Sequence, residues 1–137
     1  MRIVTRTEAG RARIEAVGAE CLIGDPNRLG TLRGVLEGVT VACWLLATAA
    51  GSPKQLHELH VSRLPAFLGQ AIDSTMRGFV YEAPAATLTQ ALELAEGAQC
   101  VQALAQRNAI AATAITSDPR DADLWLRDAR ATLSLYL

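Results

Sequence analysis

The sequence predicts a three-layer α/β fold, in which a five-stranded, mostly parallel sheet carries helices on both faces. Short apolar or β-branched runs alternate along the chain with segments of helical composition, and short connections separate them. Parallel neighbours in a sheet can be joined only through a crossover, which is usually a helix, so this alternation favours parallel strands. The 137 residues, half of them hydrophobic, suit one domain spanning residues 1–137.

The N-terminal part of the chain predicts two β-α units. Residues 2–7 form a short run that contains several β-branched residues. Residues 11–17 have the composition of a helix, and a glycine follows them as a typical C-terminal cap. Residues 19–24 form a second apolar run. Asp25 then supplies the N-cap of a helix predicted over residues 26–37, because aspartate readily accepts hydrogen bonds from the free amides of a first turn.

The most apolar run predicts the central strand of the sheet. Residues 39–46 are almost continuously hydrophobic, as expected for a parallel strand that helices cover on both faces. The alternation then continues to the C-terminus, with a helix over residues 56–72, a strand over 77–82, a helix over 87–107, a strand over 110–117 and a helix over 121–135.

Composition argues against several classes of function. The net charge of −1 lacks the basic excess that is typical of proteins binding nucleic acid or anionic membranes. Cys21, Cys43 and Cys100 lie far apart in apolar runs, which indicates small core residues in a reducing compartment and not disulfides or a zinc site. No apolar stretch is typical of a signal peptide or a membrane span. We therefore expect a cytoplasmic protein.

The two histidines are weak candidates for a metal site. His57 and His60 flank Glu58 at helical spacing, but no further ligand lies nearby in the sequence. Positions on a solvated or amphipathic helix explain all three residues better, so we expect no bound metal.

Several motifs resemble the atypical short-chain dehydrogenase/reductase proteins, which have a Rossmann fold. A Thr-Arg pair follows one strand, a Gly-Asp pair follows the next, and an apolar strand then runs into Leu-Ala. These motifs are Thr5-Arg6, Gly24-Asp25, Leu36-Glu37-Gly38-Val39, Leu46-Ala47 and Gly78-Phe79-Val80-Tyr81. The resemblance covers most of the chain and implies an NAD(P)-binding ancestry.

The resemblance is shifted in frame, because residues 2–7 match the second strand of that fold. The first strand and its G-x-G-x-x-G turn, which admits a pyrophosphate, have no counterpart in residues 1–18. Loss of that strand implies either a Rossmann-like sheet or a flavodoxin-like order 2-1-3-4-5. In an alternative alignment, residues 3–5 are the first strand and residues 6–10 a degraded phosphate turn.

The catalytic Tyr-x-x-x-Lys pair of the family is also missing. Tyr81 is followed four residues later by Ala85, and Lys54, the only lysine, is preceded four residues earlier by Ala50. We therefore predict a non-catalytic protein with a binding or regulatory role. The alternative is an enzyme with a non-standard site formed by Tyr81, Glu82 and Asp118 at the carboxyl edge of the sheet.

The resemblance implies a place for NADP, although it gives no firm cofactor. Arg6 matches an arginine of the family that pairs with the adenosine phosphate, and Asp25 matches an aspartate that lies near the adenine. Arginine suits phosphate because its planar guanidinium can bind two phosphate oxygens at once. Ala47, Thr48 and Ala49 follow the central strand, where small residues leave room for a ligand. Simpler explanations are a solvated arginine, a helix cap and a short connection.

The resemblance further implies a homodimer. Short-chain dehydrogenases commonly pair through the helices that correspond to residues 56–72 and 87–107. The candidate contacts are large apolar residues on these helices, and the alternative is that they belong to the core of one subunit. They are Leu59, Phe67, Leu88 and Leu92.

Overall fold

The structure is a computed structural model, of which residues 1–84 and 91–137 are described. It contains five strands and five α-helices within those residues. In chain order they are β1 (Arg2–Thr5), α1 (Arg11–Ala16), β2 (Glu20–Ile23), β3 (Val41–Trp44), α2 (Pro53–His57), α3 (Leu64–Ala71), β4 (Gly78–Glu82), α4 (Ala91–Arg107), β5 (Ala111–Ile115) and α5 (Ala122–Ser134).

All five strands pair in parallel, as predicted. β1 pairs with β2, with Arg2 opposite Glu20. β4 lies between β3 and β5, with Tyr81 opposite both Trp44 and Ala114. One continuous five-stranded sheet is not confirmed: the strands form a two-stranded and a three-stranded sheet, and no pairing in the described residues joins β1 to β3.

Helices cover both faces of the three-stranded sheet. On one face, the ring of Phe67 in α3 lies 5.3 Å from that of Trp44 and 6.3 Å from that of Phe79, measured between centroids. On the other face, Ala129 of α5 packs against Val80. All five residues of β4 are buried, as expected for a strand with neighbours on both sides and helices above and below.

The helix predicted over residues 26–37 does not form. Only Leu29–Leu32 takes a short 3-10 turn, and further turns continue to residue 38. Gly34, inside the predicted range, adopts a φ angle of +81°, in the left-handed region that a right-handed helix cannot contain. This glycine therefore interrupts the segment despite its otherwise helical composition.

The predicted helix over residues 56–72 is formed as α2 and α3 joined by a π-helical turn, Glu58–Arg63. Ser52 starts α2 with a capping box, in which its side chain accepts from the Gln55 amide and the Gln55 side chain accepts from the Ser52 amide. The π-helical turn packs so closely on α4 at Gly97 that a Cβ atom at this position would collide with the His60 carbonyl.

No helix in the described part of the chain is both long and apolar enough to span a bilayer. Residues 85–90, which include Ala85 and Leu88, lie outside the described residues. The start of the predicted helix over residues 87–107 therefore lies there too, and α4 is described from Ala91 onward.

Candidate functional site

Most of the predicted site residues lie at or just beyond the carboxyl ends of the parallel strands. Arg6 follows β1, Asp25 lies two residues after β2, and Ala47 lies three residues after β3. Glu82 is the last residue of β4, and Asp118 lies three residues after β5. In open α/β sheets this is the edge where ligands bind.

Glu82 is buried and fully engaged with its own chain. One carboxylate oxygen accepts the backbone N–H of Ala47 and the other accepts the indole N–H of Trp125, each at 2.8 Å. Burial raises the pKa of Glu82, and the two donors oppose that shift. The side chain thus links the loop after β3 and the end of β4 to α5.

Tyr81 points away from that edge, into the core beneath α4. Its hydroxyl accepts a hydrogen bond of 2.9 Å from the Gln102 amide, and its ring stacks on Phe79 at a centroid distance of 6.2 Å. Burial raises the pKa of Tyr81 above its ordinary value. Because neighbouring residues in a strand face opposite sides, Tyr81 and Glu82 point to opposite layers.

Asp118 lies at the surface and is paired with Arg120. The two side chains form an ion pair of 2.6 Å, and the carboxylate also accepts the backbone N–H of Arg120 at 2.9 Å. These bonds lower the pKa of Asp118. In the described residues no hydrogen bond joins Tyr81, Glu82 and Asp118, so the structure does not assemble them into one catalytic group.

Ser117 is a further polar residue of this edge that the sequence analysis did not select. It is buried, and its hydroxyl oxygen has no hydrogen-bond partner among residues 1–84 and 91–137. A buried hydroxyl without a partner costs free energy, about 1–3 kcal/mol, and such groups are often found at functional sites. The available signal in the sequence was its position as the last residue of the strand predicted over 110–117, two residues beyond the end of β5.

Arg6 and Asp25 differ in how free their side chains are. Arg6 is exposed and has no hydrogen bond or ion pair within residues 1–84 and 91–137. Asp25 accepts the backbone N–H of Asn27 at 2.9 Å, so it caps a turn in place of the predicted helix. Of the two residues, Arg6 alone presents an uncommitted side chain.

The loop after β3 is only partly available to a ligand. Ala47 is 1% exposed and its amide is held by Glu82, whereas Thr48 is exposed and Ala49 half-buried. Two grooves lie elsewhere. One, of about 370 Å³, runs between α3 and α4, and the other, of about 400 Å³, lies beside the turns around Gly34.

The histidines do not form a metal site in the described residues. No group of three or more histidine, cysteine, aspartate or glutamate side chains there could hold an ion. His57 is exposed on α2, and His60 is buried in the π-helical turn.

Two solved reductase structures are similar to this chain. One is the Citrobacter sp. triphenylmethane reductase complexed with NADP(H), with 16% sequence identity and a TM-score of 0.63. The other is vestitone reductase from alfalfa, with 10% identity and a TM-score of 0.62. The fold is Rossmann-like. A Rossmann fold is what the resemblance carried by Arg6 and Gly78 implied.

The similarity covers only part of those reductases. It spans 84% of this chain, 39% of triphenylmethane reductase and 47% of vestitone reductase, so this chain spans less than half their length. No protein-family model matches the sequence, and no curated protein matches it. At such low identities the similarity shows the fold alone.

Proposed function

We propose that this chain is a non-catalytic, Rossmann-like binding protein whose ligand occupies the carboxyl edge of the sheet. The observation that carries the proposal is that the two most promising catalytic side chains are hydrogen-bonded within the chain itself. Glu82 is held by two hydrogen bonds within the chain, and Tyr81 is hydrogen-bonded in the core. A catalytic acid or base needs to reach its substrate, whereas these two groups are committed to the fold.

The ligand that fits best is the phosphate-bearing end of NADP(H). Arg6 stands at the end of β1 with an exposed, uncommitted guanidinium, which suits a phosphate monoester. The pyrophosphate has no cradle, because no G-x-G-x-x-G turn precedes Gly18. When bound, NADP(H) would supply a hydride carrier. We therefore expect weak binding that depends strongly on Arg6.

A titration with NADPH and NADH tests this assignment, read from the fluorescence of the reduced nicotinamide. The variant is Arg6→Gln, and its matched control is Arg13→Gln, an exposed arginine on α1. Loss of a charge-assisted hydrogen bond of about 1.5 kcal/mol raises the Kd for NADPH by roughly tenfold in the Arg6 variant and leaves the Kd for NADH unchanged. Equal changes for both nucleotides, or no binding at millimolar concentration, contradict the proposal.

A second candidate is an NAD(P)-dependent or other enzyme with a non-standard site at the same edge. The specific observation behind it is the combination of a buried Glu82, whose pKa is raised, with a buried Ser117 hydroxyl that has no partner within the described residues. The absorbance of NADPH, followed with a panel of carbonyl compounds, tests this candidate. Consumption that disappears in Glu82→Gln supports the enzyme, and no consumption supports the binding protein.

We propose, as the fold resemblance implies, that two copies pair through the outer surface of α4. Leu59 and Phe67, two of the predicted contacts, are only 4% and 6% exposed and belong to the core of one subunit. Leu92 is 84% exposed on α4 and remains the main candidate. Sedimentation analysis of Leu92→Glu tests the dimer, with Leu135→Glu, an exposed leucine at the end of α5, as the control. A dimer that survives Leu92→Glu contradicts the proposed surface.

We also propose a cytoplasmic location, because the three cysteines are all unpaired thiols.

A further inference from the structure

A groove towards the amino end of the sheet lies away from the residues proposed for NADP(H). Its volume of about 400 Å³ is within the range of about 300–1,000 Å³ that is usual for small-molecule sites. One side is formed by the turns that precede β3, and the other by the end of α3 and the turn that precedes β4. The lining residues are Leu32, Arg33, Gly34 and Leu36 on the first side, and Gln70, Asp73 and Ser74 on the second.

Hydrogen bonds place this groove at the amino ends of the strands. Arg2, the first residue of β1, donates to the carbonyls of Val35 and Glu37, which flank one lining leucine, at 3.1 and 2.7 Å. Just before β4, the Thr75 hydroxyl donates to the Val39 carbonyl at 3.1 Å, which ties the turn after α3 to the start of β3. The groove thus lies at the opposite end of the strands from the carboxyl edge, where NADP(H) is proposed to bind.

The two sides of the groove carry opposite charges. Arg33 and Asp73 are exposed, and neither makes an ion pair or a side-chain hydrogen bond in the part of the chain that the structure describes. The cation nearest to Asp73 in the sequence, Arg77, instead donates to the carbonyls of Ser74 and Met76, at 3.4 and 2.9 Å. The groove therefore offers a ligand one cation and one anion.

Each side suits a ligand group of the opposite charge. Asp73 lies two residues beyond the end of α3, where the last carbonyls and the dipole of a helix also favour a cation, such as an ammonium group. On the other side, the guanidinium of Arg33 suits a carboxylate because it can bind both oxygens at once. Gly34 keeps this side open, since a Cβ atom there would meet nothing within 4 Å among the described residues.

Two leucines add an apolar surface to the groove. Leu32 is 6% exposed and belongs to the core cluster, and Leu36 is half-buried and packs against that cluster. The aliphatic part of a ligand gains free energy by covering such a surface. A ligand that matches all three features has a carboxylate, an ammonium group and a branched aliphatic side chain.

We propose that this groove binds a free α-amino acid with a branched aliphatic side chain. Its carboxylate pairs with Arg33, its ammonium group pairs with Asp73, and its side chain covers Leu32 and Leu36. A ligand with a single charge is a poorer occupant, because it leaves one of the two charged residues without a partner. None of these residues belongs to the site proposed for NADP(H), so the inference goes beyond that function.

The probe for this site is L-leucine, titrated without nucleotide and followed by the backbone amide chemical shifts of residues 32–36 and 70–74. Saturable shifts are expected in both segments. Two analogues each lack one charge: L-leucinamide has no carboxylate, and isocaproate has no ammonium group. Because ion pairs between exposed groups contribute little, we expect each analogue to bind only about threefold to fivefold more weakly than L-leucine.

Two variants identify which residue meets which charge. Arg33→Gln raises the Kd for L-leucine by about threefold to fivefold and leaves the Kd for L-leucinamide unchanged, since that ligand has no carboxylate. Asp73→Asn raises the Kd for L-leucine by a similar factor and leaves the Kd for isocaproate unchanged. The controls Arg13→Gln and Asp123→Asn, at exposed residues of α1 and α5 outside the groove, leave all three Kd values unchanged. Substitutions at exposed positions rarely affect folding.

Three results would overturn the proposal. No saturable shift with L-leucine at high millimolar concentration removes the site. An analogue that binds as tightly as L-leucine shows that one charge, or the leucine surface alone, holds the ligand. A variant that weakens L-leucine and its matched analogue equally shows that the substitution distorts the groove and that the charged group makes no contact. Because no nucleotide is present, each outcome is independent of the role proposed for Arg6.

Discussion

The hydrogen-bonded cluster around Glu82 allows a direct test by a double-mutant cycle. Trp125 donates its indole N–H to one carboxylate oxygen of Glu82 at 2.8 Å, and Ala47 donates its amide to the other. Trp125→Phe keeps most of the ring and removes the donor. Glu82→Gln keeps one acceptor oxygen and turns the other into a donor, which cannot pair with a second N–H.

The size of each effect follows from the chemistry of the bond. Trp125→Phe removes a hydrogen bond to a charged, buried acceptor, which is worth about 1.5–3 kcal/mol of unfolding free energy. Glu82→Gln leaves one buried donor without an acceptor at a cost of roughly 1–3 kcal/mol, partly offset because a buried charge is removed. Since both variants break the same bond, the double variant loses less than the sum, by about 1–2 kcal/mol.

Urea denaturation followed by circular dichroism measures the four proteins of the cycle. Trp44→Phe replaces Trp125→Phe in the control cycle, because the Trp44 indole N–H is buried and has no acceptor in the described part of the chain. The coupling of Trp44→Phe with Glu82→Gln is expected to be near zero. A coupling between Trp125 and Glu82 as small as that of the control would refute the bond and, with it, the argument that Glu82 is committed to the fold.

Three further predictions test other parts of the structure. Burial raises the pKa of Glu82 above 4.5, so the folded state holds the Glu82 proton more tightly than the unfolded state does. The stability of the protein therefore falls as the pH rises from the unfolded to the folded pKa of Glu82. Thermal melts across this pH range show a flatter profile for Glu82→Gln. Gly97→Ala destabilises by about 1–3 kcal/mol in urea denaturation through its clash with the π-helical turn, whereas Gly69→Ala, with open space around it on α3, stabilises by up to roughly 1 kcal/mol. Tyr81→Phe costs about 1 kcal/mol in the same assay and leaves NADPH binding unchanged. A neutral Gly97→Ala, or weaker NADPH binding by Tyr81→Phe, contradicts the packing described above.

The strands could be predicted because their signals are local. β3 and β4 each lie within an apolar run, and the short β-branched start of the chain forms β1. The continuous helix predicted over residues 26–37 failed because composition does not report that Gly34 adopts a left-handed φ angle. A single positive-φ residue is enough to end a helix.

The candidate site was less predictable, because its contacts join distant parts of the chain. Trp125 and Glu82 are 43 positions apart, and nothing in either local pattern indicates that they bond. Tyr81 and Glu82 were grouped with Asp118 by their nearness to strand ends. The alternation of side chains along β4 places Tyr81 in the opposite layer, and a local ion pair with Arg120 holds Asp118 at the surface.

The most direct test of the proposed binding protein is a map of backbone amide chemical shifts during titration with NADPH. The account predicts saturable changes confined to the carboxyl edge, at Arg6 and at residues 47–49. Changes centred on the groove between α3 and α4, or no changes at millimolar NADPH, would contradict it.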